Sequence, residues 1–190
     1  FMNTNTPQTP ELTLVRPAVI YRESYLAGLR EMTNETDRCA WRYLSPDDPE
    51  EFPEYDFVGY VQSLLLRETA PPPGFVHDTV YWAVSGGELV GRIAIRHELN
   101  EFLATLGGHI GYVVRPSRRR RGIATEMLRQ ALATPHARAI GKLLITCDEV
   151  NIASEKTIRN NGGIFENILS AGLGKPRKKR FWVDLENFRS

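Results

Sequence analysis

The sequence predicts an α/β chain of the α+β type, in which β-prone runs alternate with helical runs along 190 residues. Three observations lead to this fold class. The hydrophobic spacing switches repeatedly between the periods of strands and helices. Hydrophobic residues make up 42% of the chain and charged residues 25%, which is typical of a globular protein. No apolar stretch approaches the roughly 20 residues that span a bilayer, so we expect no membrane partner.

The N-terminal part of the chain predicts one strand and two helices. Residues 12–15 form a β-prone run that Pro17 ends. Residues 18–33 carry apolar side chains at helical spacing, and so do residues 55–67. Between these helices, residues 45–53 predict a loop because they combine prolines with acidic side chains.

A hairpin, a further strand and a helix follow. Residues 80–84 and 89–96 are β-prone runs on either side of the turn at 85–88, which predicts a hairpin. Residues 109–114 read as the fourth strand. This strand leads into a helix at 123–134 with one apolar side.

The C-terminal part closes the sheet. Residues 142–147 predict a fifth strand, and its continuous apolar centre is typical of a sheet that is covered on both faces. A helix begins after the N-cap residue Asn151 and ends at residues 161–163. Residues 164–169 and 180–185 predict two closing strands. The element order is therefore β-α-α-β-β-β-α-β-α-β-β.

The run from Val113 to Thr125 is the most informative segment, because an apolar strand leads through an arginine-rich loop into a helix. The first N–H groups of a helix lack partners and carry partial positive charge, which suits a phosphate group. Gly122 permits a tight turn, and Ala124 permits a close approach to an anion. The segment predicts a pyrophosphate site; a solvated basic loop or a nucleic-acid patch is the alternative for four consecutive arginines.

Two motifs in this order resemble a known superfamily. The pattern Arg119-x-x-Gly122-x-Ala124 resembles the acyl-CoA-binding signature of the GNAT superfamily of N-acetyltransferases. Residues 151–163 resemble its second motif, an Asn-led helix that ends in Gly. The resemblance implies a mixed, mostly antiparallel sheet of about seven strands flanked by about four helices, with strands four and five splayed apart. Residues 107–116 and 146–148 also resemble a bacterial group of predicted acetyltransferases.

The resemblance implies acetyl-CoA as the co-substrate and no metal. The pantetheine arm would lie between strands four and five, and the pyrophosphate would lie at the start of the following helix. For Asn151, a simple helix cap is the alternative role. The expected cofactor-binding residues are Val113, Val114, Arg119, Arg120, Arg121, Gly122, Ile123, Ala124, Asn151 and Ser154.

The two common acid-base positions of the superfamily carry no acid-base group in this chain. The usual Glu base falls on Gly108, and the usual Tyr acid falls on Ile158. His109 is a candidate base, because an ordinary imidazole pKa suits proton transfer, and a structural strand residue is its alternative role. Tyr112 is a candidate proton donor, unless the thiolate leaves unaided. The further candidates for the base are Glu98, Asp148 and Glu149.

These features predict transfer of an acetyl group to a primary amine by direct attack in a ternary complex. The amine belongs either to a small molecule or to a protein. A non-catalytic acyl-CoA-binding module or sensor is the alternative function. Two loops bear on the acceptor and conflict in charge: the acidic residues 47–56 would attract a cationic amine, whereas residues 174–180 are strongly basic.

Partners and compartment follow from composition. We expect no nucleic-acid partner, because the basic runs lack interleaved aromatic residues. The resemblance allows a homodimer. Cys39 and Cys147 lack metal-ligand spacing and the N-terminus lacks the apolar core of a signal peptide, so we expect a cytoplasmic protein with reduced thiols. Residues 2–10, rich in Thr, Asn and Pro, predict a flexible lead-in to a single domain at 11–190.

Overall fold

The computed structural model describes residues 11–45 and 47–186, so the predicted lead-in at 2–10 lies outside the described residues. One seven-stranded sheet with the order β1-β2-β3-β4-β5-β7-β6 forms the centre of the fold. All neighbouring strands are antiparallel except β4 and β5, which are parallel. The strands are β1 (Leu12–Val15), β2 (Asp78–Ser85), β3 (Glu88–Arg96), β4 (Ile110–Val114), β5 (Lys142–Asp148), β6 (Ile164–Leu169) and β7 (Lys178–Asp184).

The seven predicted strands and the mixed, mostly antiparallel sheet are confirmed. The hairpin between β2 and β3 closes at the pair Ser85 and Glu88, as the turn residues predict. The last strand is longer at its start than predicted, because Lys178 already pairs with Asp148 of β5.

Seven α-helices flank the sheet in the described part of the chain. They are α1 (Arg22–Glu31), α2 (Glu35–Arg42), α3 (Phe52–Tyr55), α4 (Phe57–Leu66), α5 (Ile123–Leu132), α6 (Pro135–Ile140) and α7 (Ile152–Asn160). The four predicted helices correspond to α1, α4, α5 and α7. None of the described helices is long and apolar enough to cross a membrane.

Three helices were not predicted. Helix α2 begins after the N-cap residue Asn34, whose side chain accepts a hydrogen bond from the Asp37 N–H. The helix is rich in charged residues, so the sequence shows no clear apolar face. Thr134 and the following proline start α6 in the same way. The short α3 corrects the expected loop at 45–53, because the helix begins at Phe52. A π-helical turn, Leu103–Gly107, also precedes β4.

The sheet is covered on both faces. On one side, which we call face A, α5, α6 and α7 pack on the sheet through residues such as Met127, Ala137 and Ile158. On the other side, face B, α1, α2 and α4 pack through an aromatic cluster in which Tyr25 stacks on Trp82 with a centroid distance of 5.6 Å. In the strand order β4 and β5 are neighbours at the centre of this covered sheet.

A buried ion pair joins α4 to the start of β2. Arg67 donates to both carboxylate oxygens of Asp78, from Nε to Oδ1 at 3.0 Å and from Nη2 to Oδ2 at 2.9 Å. The side chains are only 3% and 1% exposed. The Tyr43 hydroxyl also donates a hydrogen bond to the same carboxylate. The carboxylate is therefore the counter-charge on which a buried guanidinium depends.

We predict that Asp78→Asn lowers the free energy of unfolding by about 3–5 kcal/mol, because the Arg67 charge stays buried without its partner. Urea unfolding measures the loss. Glu23→Gln, a matched change in the exposed pair with Arg22, should cost less than about 1 kcal/mol. Equal losses in the two variants would contradict this assignment.

Candidate active site

Strands β4 and β5 part immediately after they meet. Their only registered pair is Ile110 with Ile145. Just before it, the His109 N–H donates to the Leu144 carbonyl at 2.7 Å, and the Leu144 N–H donates to the His109 ring Nδ1 at 2.9 Å. Beyond this point the two strands separate, so a gap opens between the strands at the centre of the sheet.

A cleft of about 710 Å³ occupies this gap. Residues of face A line one side of it, including Ala124 and Ser154, while Arg96, Leu106 and Thr146 line it on face B. The cleft therefore connects the two faces of the sheet. All the cofactor residues predicted from the sequence contribute to its lining except Arg121, namely Val113, Val114, Arg119, Arg120, Gly122, Ile123, Ala124, Asn151 and Ser154.

The N-terminus of α5 opens into the cleft without a side-chain cap. Gly122 is the N-cap residue and has a φ of 75°, a conformation that other residues rarely adopt. The hydrogen bond from the Glu126 N–H to the Gly122 carbonyl is the first of the helix. The N–H groups at 123–125 thus precede the bonded part of α5 and point toward the cleft. This arrangement is typical of an anion site.

The four arginines of the loop divide into two pairs. Arg118 forms an ion pair with Glu88, and Arg119 forms one with Asp37 at 2.7 Å while its Nε donates to the Val114 carbonyl. These two side chains therefore brace the loop. Arg120 and Arg121 are exposed and have no carboxylate partner among the described residues. Of these two, Arg120 lines the cleft.

Helix α7 contributes the opposite wall. The Asn151 side chain accepts a hydrogen bond from the Ser154 N–H at 3.0 Å, so Asn151 acts as a helix cap and also lines the cleft. Lys156, which sequence reasoning missed, is an exposed cation on the same wall. Its place in the first turns of an Asn-led helix was the signal that could have identified it.

Tyr112 lies in the gap with its hydroxyl 2.6 Å from the Ser154 Oγ. Burial raises the pKa of Tyr112 to about 12, against an opposing hydrogen bond from Ser154. The phenol is therefore protonated at neutral pH. Backbone groups alternate in direction along a strand, and the Arg115 N–H donates to Val90 of β3. By that alternation the Tyr112 N–H faces the gap.

His109 is placed differently. The residue is 7% exposed and does not line the cleft. Its Nδ1 lone pair accepts the Leu144 N–H, and burial lowers its pKa to about 4. A neutral, buried imidazole whose acceptor nitrogen is already bonded is a weak base, so the geometry disfavours the catalytic role considered for it and favours the structural one.

The structure explains why the two common catalytic positions are Gly and Ile. Gly108 has a φ of 68°, and a Cβ on it would lie 2.7 Å from the Leu144 carbonyl oxygen. Any side chain there would therefore push β5 away from His109. Ile158 is fully buried in the face A core. A Glu at position 108 would therefore displace β5, and a Tyr at position 158 would place its hydroxyl in an apolar core.

The remaining carboxylates considered as bases are separated by the fold. Asp148 lines the cleft on the face B side, where it forms an ion pair with Lys178. Glu98 instead accepts from His77, and Glu149 pairs with Arg177; neither lines the cleft. Asp148 is thus the one of the three that is near the gap.

The basic run near the C-terminus is largely neutralised. Arg177 pairs with Glu149, Lys179 with Glu155 and Arg180 with Glu166, in addition to the pair of Lys178 with Asp148. Lys178 is the residue of this loop that lines the cleft, and no described residue of the acidic loop at 47–56 does so. Net charge in the sequence is therefore a poor guide to charge at this site.

Comparison with known proteins identifies the family. Residues 21–164 match the family described as acetyltransferase (GNAT) domain. This match spans most of the chain, and the protein belongs to the GNAT acetyltransferase family, whose enzymes use acetyl-CoA. No curated protein matches the sequence.

Solved structures share the fold at low sequence identity. RimJ from Mycobacterium smegmatis, in complex with CoA-disulfide, is 18% identical with a TM-score of 0.65 over 96% of this chain and 86% of its own. RimL, a ribosomal-protein alpha-N-acetyltransferase in complex with coenzyme A, is 20% identical with a TM-score of 0.63 over 91% and 93%. The microcin self-immunity acetyltransferase MccE, bound to acetyl-CoA and AMP, is 16% identical with a TM-score of 0.61 over 92% of both chains.

A metal site was not expected. Within residues 11–45 and 47–186, no group of three or more His, Cys, Asp or Glu side chains is arranged to hold a metal ion. Cys39 and Cys147 are both free thiols.

We predict that His109→Asn retains the fold and its activity, because the Asn Oδ1 can accept the Leu144 N–H in place of Nδ1. His109→Leu leaves that N–H without an acceptor and should lower the free energy of unfolding by about 1–3 kcal/mol. A His109→Asn variant that folds normally but loses turnover by about a hundredfold or more would show a catalytic role instead.

The burial of His109 also predicts how the stability of the protein depends on pH. At pH values between about 4, the pKa of His109 in the folded chain, and about 6.5, its ordinary pKa, His109 binds a proton in the unfolded chain and not in the folded chain. The stability of the wild-type protein should therefore fall as the pH is lowered through this range. Urea unfolding at several pH values should show a smaller loss in His109→Asn.

Proposed function

We propose that the protein transfers the acetyl group of acetyl-CoA to a primary amine by direct attack in a ternary complex. The observation that carries the proposal is the single cleft that joins the uncapped α5 N-terminus on face A to the far side of the sheet. A donor bound from face A and an acceptor bound from face B would meet in the gap between β4 and β5.

The cofactor would be held mainly by backbone groups. The N–H groups at 123–125 would bind the pyrophosphate, and the exposed cations of Arg120 and Lys156 would supply charge for the phosphates. Arg119 would act through its backbone, since its guanidinium is committed to Asp37 and Val114. The unpaired edges of β4 and β5 would flank the pantetheine arm.

The chemistry would take place beside Tyr112. When bound, acetyl-CoA supplies a thioester carbonyl for the amine to attack. The Tyr112 N–H would donate a hydrogen bond to that carbonyl oxygen and stabilise its negative charge. The Asp148 carboxylate, on the acceptor side, would accept the proton of the amine directly or through water.

The Tyr112 hydroxyl would stabilise the departing thiolate. An ordinary thiol has a pKa near 8.5, well below the value of about 12 for Tyr112. The phenol therefore donates a hydrogen bond rather than a complete proton, and solvent supplies the proton later. This role differs from full general-acid catalysis and needs no residue at position 158.

The acceptor is proposed as a primary amine of a small molecule or of a protein. RimL is described as acting on a ribosomal protein, and MccE as providing immunity to a microcin. An acceptor of either kind would enter the cleft from face B. A non-catalytic acyl-CoA-binding module is the alternative, and it would bind acetyl-CoA without turnover.

We predict that Gly122→Glu abolishes acetyl-CoA binding, because it places a carboxylate and a strained φ where the pyrophosphate would bind. Calorimetry measures the affinity. Gly74→Glu is the matched control, since Gly74 has a φ of 83°, open space around its Cα and no part in the cleft. If both variants bind acetyl-CoA equally well, the phosphate site lies elsewhere.

We predict that Tyr112→Phe lowers kcat by about a hundredfold and leaves the Kd of acetyl-CoA nearly unchanged, because the departing thiolate loses a hydrogen-bond donor while the cofactor loses no direct contact; the variant also removes the contact of the hydroxyl with the Ser154 Oγ. Free-thiol release with a panel of amines measures kcat. Tyr55→Phe, an exposed position outside the cleft, should have no effect. Unchanged turnover in Tyr112→Phe would show that the thiolate leaves unaided.

A further inference from the structure

Arg96 lies at the inner end of the cleft without a counter-charge. It is the last residue of β3, is partly buried and lines the cleft on face B. Its Nη1 donates to the carbonyl oxygens of Gly107 and Gly108, at 3.3 and 3.0 Å. Among the residues that the structure describes, no carboxylate pairs with it, whereas the cleft arginines Arg118 and Arg119 are both paired.

Gly111 leaves space for this guanidinium. The atoms nearest to a Cβ on Gly111 would belong to Arg96, with Nη2 at 3.3 Å and Nη1 at 3.7 Å. The φ of Gly111 is not positive, so its backbone conformation does not require glycine. The missing side chain therefore brings the Arg96 charge against β4, one residue from Tyr112 and next to the point where β4 and β5 separate.

The free edge of Arg96 has the shape that binds a carboxylate. The hydrogen bonds of Arg96 to described residues come from Nη1, so Nε and Nη2 remain available. The N–H groups of these two nitrogens are parallel and match the two oxygens of a carboxylate. Other arginines of this chain use this same edge for a carboxylate. Arg67 does so with Asp78, Arg129 with Glu126 and Arg177 with Glu149.

The charges around Arg96 do not offset it. Asp148, the nearby carboxylate of the face B lining, is already paired with Lys178. Arg180, on the same face, pairs with Glu166 and also donates to the Ala104 and Thr105 carbonyls. The acceptor end of the cleft is therefore net positive, which favours an anionic group on the molecule that binds there.

We propose that Arg96 binds a carboxylate of the acceptor, so that the substrate is an amine that also carries a carboxylate. The inference rests on the proposed function and makes it narrower. Arg96 orients the acceptor through its Nε and Nη2, and its bonds to residues 107 and 108 fix the direction of the guanidinium. Arg96 is a specificity residue, and it takes no part in proton transfer.

The test compares amines that differ only in this group. Glycine, β-alanine and 4-aminobutyrate are each paired with the carboxamide of the same amine. The value of kcat/KM is measured for both members of each pair. The wild-type enzyme should prefer at least one carboxylate over its amide by about 10- to 100-fold. In Arg96→Gln this ratio should fall to near one. Arg96→Lys should retain part of it, because the charge remains while the two-pronged geometry is lost.

Two controls accompany these variants. Arg138→Gln removes an exposed arginine of α6 that does not line the cleft, and it should keep the wild-type ratio. Calorimetry with acetyl-CoA and thermal unfolding check that each variant still folds and binds the donor.

Two results would overturn the inference. One is a wild-type ratio near one for every pair. The other is an equal fall in the rates of acid and amide in Arg96→Gln, which would mean that Arg96 only supports residues 107 and 108. If no amine turns over, binding of the same pairs to the CoA complex is measured by calorimetry. An Arg96-dependent preference for carboxylates there would uphold the inference while the proposed catalysis fails.

Discussion

The site depends on the single pair at which β4 and β5 meet. Both strands lie at the centre of the sheet and are covered by helices on its two faces. The His109 imidazole accepts the Leu144 N–H, and pairing stops after Ile110 and Ile145. Gly108 allows this close approach because it has no Cβ. The cleft, the unpaired strand edges and the path between the two faces all follow from this divergence.

Ion pairs determine which of the many charges remain available. The arginine-rich loop and the C-terminal basic run look like two cationic surfaces in the sequence. In the fold, most of these side chains brace the structure: Arg119 ties the loop to α2, and Lys179 ties β7 to α7. The cations left at the cleft are few and separated. Arg120 and Lys156 lie toward the α5 and α7 walls, and Arg96 lies toward face B.

This distribution gives the two ends of the cleft different chemistry. The α5 end combines helical N–H groups with exposed cations, which suits phosphate groups. The face B end combines one oriented guanidinium with the pair of Asp148 and Lys178. Without the usual Glu and Tyr, removal of the amine proton would depend on Asp148, and stabilisation of the carbonyl oxygen would depend on the backbone of β4. The enzyme would thus rely on orientation and hydrogen bonding more than on a dedicated acid and base.

The sequence by itself determined the strands, the main helices and the strand-loop-helix segment with Gly122 at the start of α5, because these depend on local spacing and on local turn chemistry. It missed α2 and α6, whose start signals are clear but whose apolar faces are short. Only the tertiary structure shows that the His109 imidazole is buried and accepts the Leu144 N–H, whereas the local sequence left its role open between a base and a strand residue. The tertiary structure also decided that no carboxylate of the described residues pairs with Arg96, whereas Arg118 and Arg119 of the same cleft are both paired. Burial and ion pairing depend on residues far apart in the chain, so no local pattern records them.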